Sequence, residues 1–135
     1  MEAATVEAVA KKLNTQLQGV DLSDPAILVA YKGAIMTMMA KYTRNKSEKK
    51  DFFKEGVSLL EAAVESDPNN IEIRTIRLSI QENAPKFLRY HKNISEDKQY
   101  ILEHYKEVRN AELKIFVKKF VQQSSEFEDQ EKAAF

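Results

Sequence analysis

The amino-acid sequence predicts an all-α fold of five to six helices, paired as antiparallel hairpins that stack into one bundle. Its 135 residues include only three glycines and three prolines, whereas a sandwich or barrel of short strands needs turn residues every ~8–12 positions. Apolar residues recur at spacings of three and four along most of the chain, which is the period of an amphipathic helix. With 43% hydrophobic residues, a chain of this length can bury a core without disulfides or a structural metal.

Two helices are predicted in the first third of the chain. The first covers about 3–18 and ends near Gly19, a residue typical of a helix C-terminus. Asp24 followed by Pro25 suits the start of a second helix, because proline lacks only an N–H that the first helical residue does not use. This second helix runs to about Tyr42 and is apolar on most of its circumference, so we expect it to be largely buried. The apolar stripe of the first helix consists of Val6, Val9, Leu13, Leu17 and Val20.

The middle of the chain predicts two further helices. A basic, solvated stretch over 41–54 contains the break at Asn45, after which a helix covers about 48–66. The turn Asp67–Asn70 contains Pro68 and ends that helix, since proline disfavours helix in the residue before it. A fourth helix covers about 71–82, with Asn70 as its cap.

The last third predicts one short helical piece, one long helix and a tail. The short piece fills 85–91, and the long helix starts at Ser95 and continues to about 122, with a break near Asn110. After Gln122 the apolar stripe fades and acidic residues dominate. We therefore expect a single helical domain over 1–122 and an acidic, frayed or disordered tail over 123–135.

Two glycines lie inside strongly helical segments, Gly33 and Gly56. Each costs about 1 kcal/mol relative to alanine in a helix interior. A residue without a side chain lets two helix axes approach closely, which would offset this cost. We therefore expect the second and third helices to cross near these glycines.

The residues around these glycines resemble the tetratricopeptide repeat. Gly56, Leu60 and Ala63, followed by the turn 67–70, are similar to the second helix of such a repeat, and Val29, Gly33 and Met36 to its first. The resemblance implies stacked helical hairpins of an α-α superhelix type, with a concave face that binds a protein or peptide. Separately, segments 31–34, 67–74 and 80–88 are similar to a family of uncharacterised bacterial proteins, from which no activity can be transferred.

Charge and composition exclude several classes of function. Twenty-one basic residues balance 21 acidic ones, so no overall field attracts the chain to nucleic acid or anionic lipid, and we expect no nucleic-acid partner. No apolar run approaches the ~20 residues that span a bilayer, so we expect a soluble chain without membrane insertion. The N-terminus has no signal-peptide pattern, which leaves a cytoplasmic protein or one exported after loss of a signal peptide not present here.

No pattern in the sequence marks an enzyme, a cofactor or a metal site. Cysteine is absent, and His91 and His104 do not belong to a metal-ligand motif. Glycine-rich phosphate loops and nucleophile elbows are also missing. We therefore expect no catalytic residue, no cofactor and no bound metal.

The fourth helix carries the most informative polar residues. Arg74, Arg77 and Gln81 share one flank between two apolar stripes. Ordered guanidinium groups there could present planar donors to a carboxylate or phosphate of a ligand. The alternative, which we favour, is that the arginines form structural ion pairs with Glu61 and Glu65 of the third helix, or with the acidic tail.

The sequence thus supports two hypotheses about function. The preferred one is a non-enzymatic protein- or peptide-interaction module, with Tyr31 and Lys32 on its concave face and Arg74 and Arg77 nearby. Such a chain could also form a homodimer, because few repeats bury enough surface alone. The alternative is a small anionic-ligand-binding or catalytic protein that uses the flank of Arg74, Arg77 and Gln81.

Overall fold

The computed structural model of the chain describes residues 3–135, with side chains from Val6 onward, and this part is helical without a strand. The predicted all-α fold class is therefore confirmed. Three short 3-10 turns, at Ala40–Tyr42, Lys86–Leu88 and Tyr105–Glu107, accompany the α-helices. The described part contains seven α-helices: α1 Ala3–Gln16, α2 Ala26–Met39, α3 Lys46–Ser66, α4 Ile71–Asn83, α5 Ile94–His104, α6 Ala111–Gln123 and α7 Asp129–Lys132.

Asparagine side chains fix the starts of three helices. The Oδ1 of Asn45 accepts from the backbone N–H of Ser47 at 2.8 Å and so begins α3. Asn70 begins α4 and Asn110 begins α6 in the same way. Each bond satisfies an N–H that has no partner within the helix. The predicted cap at Asn70 and the predicted break near Asn110 are thus confirmed.

The long helix predicted from Ser95 to about 122 is two helices in the structure. It begins one residue earlier, at Ile94 with Asn93 as its cap residue, and α5 ends at His104. A 3-10 turn follows before α6 starts at Ala111. The interruption allows α5 and α6 to contribute separate apolar faces to one core.

The chain divides into two compact units, Met1–Pro68 and Asn69–Phe135, where the sequence predicted one helical domain over 1–122. The division falls within the predicted turn around Pro68. Each unit contains its own packed helices, α1 to α3 in the first and α4 to α7 in the second. The predicted boundary at residue 122 instead lies inside the second unit.

In the first unit, α2 and α3 approach closely at Gly33 and Gly56, as the sequence predicts. A Cβ on Gly33 would lie 2.6 Å from the carbonyl oxygen of Gly56 and 2.9 Å from the backbone nitrogen of Leu60. A Cβ on Gly56 would lie 2.6 Å from the carbonyl oxygen of Gly33. No larger residue fits at either position without moving backbone. Apolar side chains of α2 and α3 are buried around this contact, namely Val29, Ala30, Ala34, Ile35, Met36, Phe53, Leu60, Ala63 and Val64.

The second unit has a core to which α4, α5 and α6 all contribute. Helix α4 is buried on both of its apolar stripes, as its sequence pattern predicts. One stripe, with Ile71 and Leu78, belongs to the core cluster of this unit. The other members of that cluster are Ile101, Tyr105, Val117, Val121 and Phe127.

The C-terminal segment predicted as a frayed or disordered acidic tail over 123–135 is folded in the structure. Phe127 is 4% exposed, and the ring of Phe135 lies 4.4 Å from that of Tyr105. The carboxylate of Glu82 accepts hydrogen bonds from the hydroxyls of Ser124 and Ser125 at 2.9 and 2.8 Å. The free energy gained by packing the two aromatic rings against the core outweighs the tendency of the polar residues to stay solvated, which is the basis of the predicted tail.

A salt bridge and a helix cap also hold this segment. The Nζ of Lys98 lies 3.0 Å from Oε1 of Glu131. A hydrogen bond from the backbone N–H of Glu128, followed by one from Lys98, lowers the pKa of Glu131 below its ordinary value. These contacts join α7 to α5 within the second unit.

Candidate functional site: a buried arginine and aspartate cluster

Three side chains of α4 converge on one carboxylate of α5. Arg74, Arg77 and Gln81 follow one another at spacings of three and four, which places them on one flank of α4. Asp97 lies in the first turn of α5 and is completely buried. Arg74 and Arg77 are 8% and 3% exposed, so the whole cluster lies inside the protein.

Arg77 binds Asp97 in a bidentate pair. Its Nε donates to Oδ2 at 2.8 Å, and its Nη2 donates to Oδ1 at 2.7 Å. The two parallel bonds match the planar guanidinium to the planar carboxylate, which is the strong geometry for such a pair. Arg74 adds a third bond, from Nη1 to Oδ1 at 3.1 Å.

Gln81 completes the set of donors around Asp97. Its Nε2 donates to Oδ2 of Asp97 at 2.9 Å. The other end of the same amide, Oε1, accepts from the backbone N–H of Asn93 at 2.8 Å. Gln81 therefore ties α4 both to the buried carboxylate and to the residue that precedes α5.

Glu96 borders the cluster at the protein surface, where its side chain is 56% exposed. Its Oε1 lies 3.3 Å from Nη1 of Arg74, and its Oε2 lies 3.2 Å from Nη2 of Arg77. Burial alone would raise the pKa of Glu96, but hydrogen bonds from Asn93 and Arg74 and the positive charges of the two arginines together lower it below its ordinary value. Two guanidinium groups thus face two carboxylates.

The cluster is satisfied by groups of the chain itself. In the part of the chain that the structure describes, no buried side-chain nitrogen or oxygen lacks a hydrogen-bond partner. The ring of Tyr100, whose centroid lies 5.1 Å from Cζ of Arg74, adds a cation–π contact. The arrangement joins α4 to α5 and directs its strongest donors at Asp97 rather than at solvent.

The structure brings together three of the predicted site residues, Arg74, Arg77 and Gln81, around an acid that the sequence analysis did not name as their partner. In the structure, Asp97 and Glu96 of α5 pair with the arginines, and the predicted pairing with Glu61, Glu65 or the acids of the tail stays a prediction. The sequence did contain a signal for Asp97. It lies four residues before Ile101 and eight before Tyr105, so it is an acid in line with a buried apolar stripe.

The other two predicted contact residues belong to the first unit. The Nζ of Lys32 donates to the carbonyl oxygens of Gln18 and Val20 at 3.2 and 2.6 Å. Lys32 therefore holds the loop that follows α1. Tyr31 is half-buried and has interactions of its own within the protein.

The histidines contact backbone carbonyl groups in the structure. The Nε2 of His91 lies 3.2 Å from the carbonyl oxygen of Ala84, and Nδ1 of His104 lies 2.9 Å from that of Tyr100. The rings of His104 and Tyr100 also stack at 4.0 Å. Among the described residues, no group of three or more histidine, aspartate or glutamate side chains is arranged to hold a metal ion.

Comparisons with known proteins identify no relative. Neither the protein-family models nor the curated proteins nor the solved structures gave a match to this chain. None of the helices over residues 3–135 is both long and apolar enough to cross a membrane. The resemblance to the tetratricopeptide repeat and to a bacterial family therefore stays a prediction from the sequence.

Proposed function

We propose that this chain is a non-enzymatic binding module for a protein or peptide partner, and that α6 contains its contact surface. The observation that carries the proposal is the pair Ile115 and Phe116 on α6, which are 54% and 39% exposed. Exposed large apolar side chains that adjoin one another are typical of interaction surfaces. The opposite side of α6 is occupied by Val117 and Val121, which are completely buried.

Charge around the apolar pair favours an acidic partner. Lys118 and Lys119 are exposed on the next turn of α6 and form no ion pair within the described part of the chain. An amphipathic helix with acidic residues beside its apolar face would match both features of this surface. We therefore commit to an acidic, amphipathic peptide segment as the occupant.

The geometry of the buried cluster favours this function over an anionic-ligand or catalytic site. Asp97 already receives bonds from Arg74, Arg77 and Gln81. An incoming phosphate or carboxylate would have to displace a buried charge that these donors stabilise. The binding surface is accordingly assigned outside the flank of α4.

The first unit supports the helical-hairpin part of the proposal. Gly33 lies against Leu60, and Gly56 lies against Thr37. Residues later in α2 therefore meet residues earlier in α3, which is the pattern of two helices that run in opposite directions. A tetratricopeptide-like hairpin has this arrangement, with small residues where its helices cross.

Selection from a displayed peptide library tests the function. We expect wild-type protein to enrich acidic, apolar peptides, and the double variant Ile115→Ser with Phe116→Ser to bind them at least about tenfold more weakly, because both apolar contacts are lost. A matched control, Val9→Ser with Leu28→Ser, removes two similarly exposed apolar residues of the first unit and should leave binding unchanged. Circular dichroism verifies that both variants keep their helix content.

Two kinds of result would overturn this function. The first is the absence of reproducible enrichment by wild-type protein, or self-association through α6 that the α6 variant abolishes. The second is thermal stabilisation by a member of an anionic metabolite panel that is lost in Arg74→Lys, which would favour the alternative site on α4. The Arg74→Lys variant keeps the positive charge, so the fold is less at risk than with alanine.

A further inference from the structure

The segment from Ala84 to Asn93, here called the Phe87 loop, is held in a defined shape. At its neck, the ring of His91 lies 3.2 Å from the carbonyl oxygen of Ala84, and the backbone N–H of Asn93 donates to Gln81 at 2.8 Å. Inside the loop, Tyr90 is 8% exposed, so its side chain is buried in the protein. The loop is thus fixed at both ends and from within.

One aromatic side chain of this loop points away from the protein. Phe87 is 81% exposed, more than any other large apolar residue of the described chain. It lies in the 3-10 turn Lys86–Leu88, which ends at Arg89 with φ of 57°. A left-handed conformation is uncommon for a residue other than glycine. Hydrogen bonds at the neck fix the loop in one conformation. The exposure of Phe87 is therefore a property of that conformation.

Three exposed cations share the Phe87 loop with this ring. Lys86, Arg89 and Lys92 are all exposed, and the sequence of the Phe87 loop contains no acidic residue. None of the three forms an ion pair within the described part of the chain. The loop therefore combines one exposed apolar group with three unpaired positive charges.

We propose that the Phe87 loop attaches the protein to an anionic lipid surface. The ring enters the headgroup region, and the three cations contact acidic headgroups, as in other peripheral attachments. The shape of the loop favours a membrane over a protein groove. A convex turn with one apolar side chain offers little area to a protein partner, which needs about 800 Å² of surface on each side, whereas a bilayer surface requires no matching shape.

The zero net charge of the chain is compatible with this attachment. Salt screens exposed charges beyond about 10 Å at moderate ionic strength. Acidic groups elsewhere on the protein are therefore screened from lipid that lies against the loop. The cations of the loop act at contact distance, where about 1 kcal/mol for each charge corresponds to about fivefold in affinity.

Tryptophan fluorescence tests the attachment directly, because the natural chain contains no tryptophan. The full-length variant Phe87→Trp carries a single reporter at the tip of the loop. Its emission should shift to shorter wavelength with vesicles of phosphatidylcholine and phosphatidylserine, and should not shift with phosphatidylcholine alone. Lipids brominated near the headgroup should quench it, which would place the ring in the interface.

Vesicle co-sedimentation of unlabelled protein measures the contribution of each group. We expect Phe87→Ser to weaken binding about tenfold, and Lys86→Gln with Lys92→Gln to weaken it about 25-fold. High salt should reduce binding of the wild type. The matched control is Leu22→Ser, which removes an apolar side chain that is 69% exposed on a loop with Asp21 and Asp24, and it should bind like the wild type.

Three results would overturn the proposal. One is equal binding to vesicles with and without phosphatidylserine. Another is equal loss of binding in Lys49→Gln with Lys50→Gln, because the attraction would then be general rather than local to the loop. The third is tighter binding of a single-stranded oligonucleotide than of vesicles, with the same dependence on Phe87, which would assign the ring to base stacking.

Discussion

The carboxylate of Asp97 accepts hydrogen bonds from the guanidinium groups of two buried arginines. Its oxygens receive two bonds from Arg77, one from Arg74 and one from Gln81. A buried ion pair adds little net stability compared with apolar residues of the same shape, but loss of one partner leaves the other charge uncompensated. The cluster therefore matters most for how α4 and α5 are fixed together.

Substitution Asp97→Asn should destabilise the protein by about 3–5 kcal/mol, because it removes the completely buried negative charge that accepts hydrogen bonds from the guanidinium groups of Arg74 and Arg77. Urea unfolding followed by far-ultraviolet circular dichroism measures this as a lower transition midpoint with an unchanged slope. The control Glu96→Gln removes the exposed carboxylate that borders the cluster and should cost less than about 1 kcal/mol. Equal losses in the two variants would contradict the assignment of Asp97 as the central acid.

Among the elements, α2 and α3 are the pair whose contact depends on the absence of side chains. At each glycine, backbone atoms of the facing helix lie so close that they would overlap with a Cβ methyl group. The conformational cost of glycine in each helix is thereby offset by contact along both helices. Helix propensity alone would give the opposite expectation for substitution at these positions.

Substitution Gly33→Ala should therefore destabilise the protein by about 1–3 kcal/mol, although alanine is the better helix former, because its Cβ would overlap backbone atoms of α3. Thermal unfolding by calorimetry measures the change. Gly19→Ala is a suitable control, since a Cβ there meets nothing within 4 Å. A variant of Gly33 as stable as the wild type would show that α2 and α3 separate without cost.

The C-terminal segment is the second element whose contribution can be measured. Phe127 is almost completely buried and belongs to the core cluster of the second unit. Phe127→Ala should cost about 3–5 kcal/mol, whereas Phe116→Ala, which truncates a 39% exposed ring, should cost far less. Chemical unfolding of the two variants in parallel makes this comparison. Similar stability of both would mean that the segment does not contribute to the core.

The sequence predicts helices better than it predicts what those helices contact. Apolar periodicity and the Asn70 cap locate α4 within a residue or two, because both signals are local. Asp97, which pairs with Arg74 and Arg77, lies about 20 residues further along the chain, and its place in line with an apolar stripe does not show which residues of α4 it contacts. The acidic composition of the last residues likewise predicts a solvated tail. Composition does not show that two phenylalanines among these acidic residues pack against the core of the second unit.

At the scale of the whole molecule, the chain consists of two compact units that meet in sequence at Pro68. The glycine contact belongs to the first unit, whereas the Asp97 cluster, the Phe87 loop and the proposed surface of α6 belong to the second. Chemistry proposed for the protein is thus concentrated in residues 69–135. A disturbance inside one unit should be visible first in that unit.

Hydrogen exchange measured by mass spectrometry tests this expectation with the Asp97→Asn variant. Every contact described for Asp97 is made by a residue of the second unit, so faster exchange should appear in α4 and α5, whose amides lose protection when the two helices separate locally. Peptides from α2 and α3 should exchange at the wild-type rate under the same native conditions. The Gly33→Ala variant should show the reverse pattern, with faster exchange in α2 and α3. If both variants accelerate exchange in all of these helices equally, the chain unfolds as one cooperative body and the division into two units has no energetic meaning.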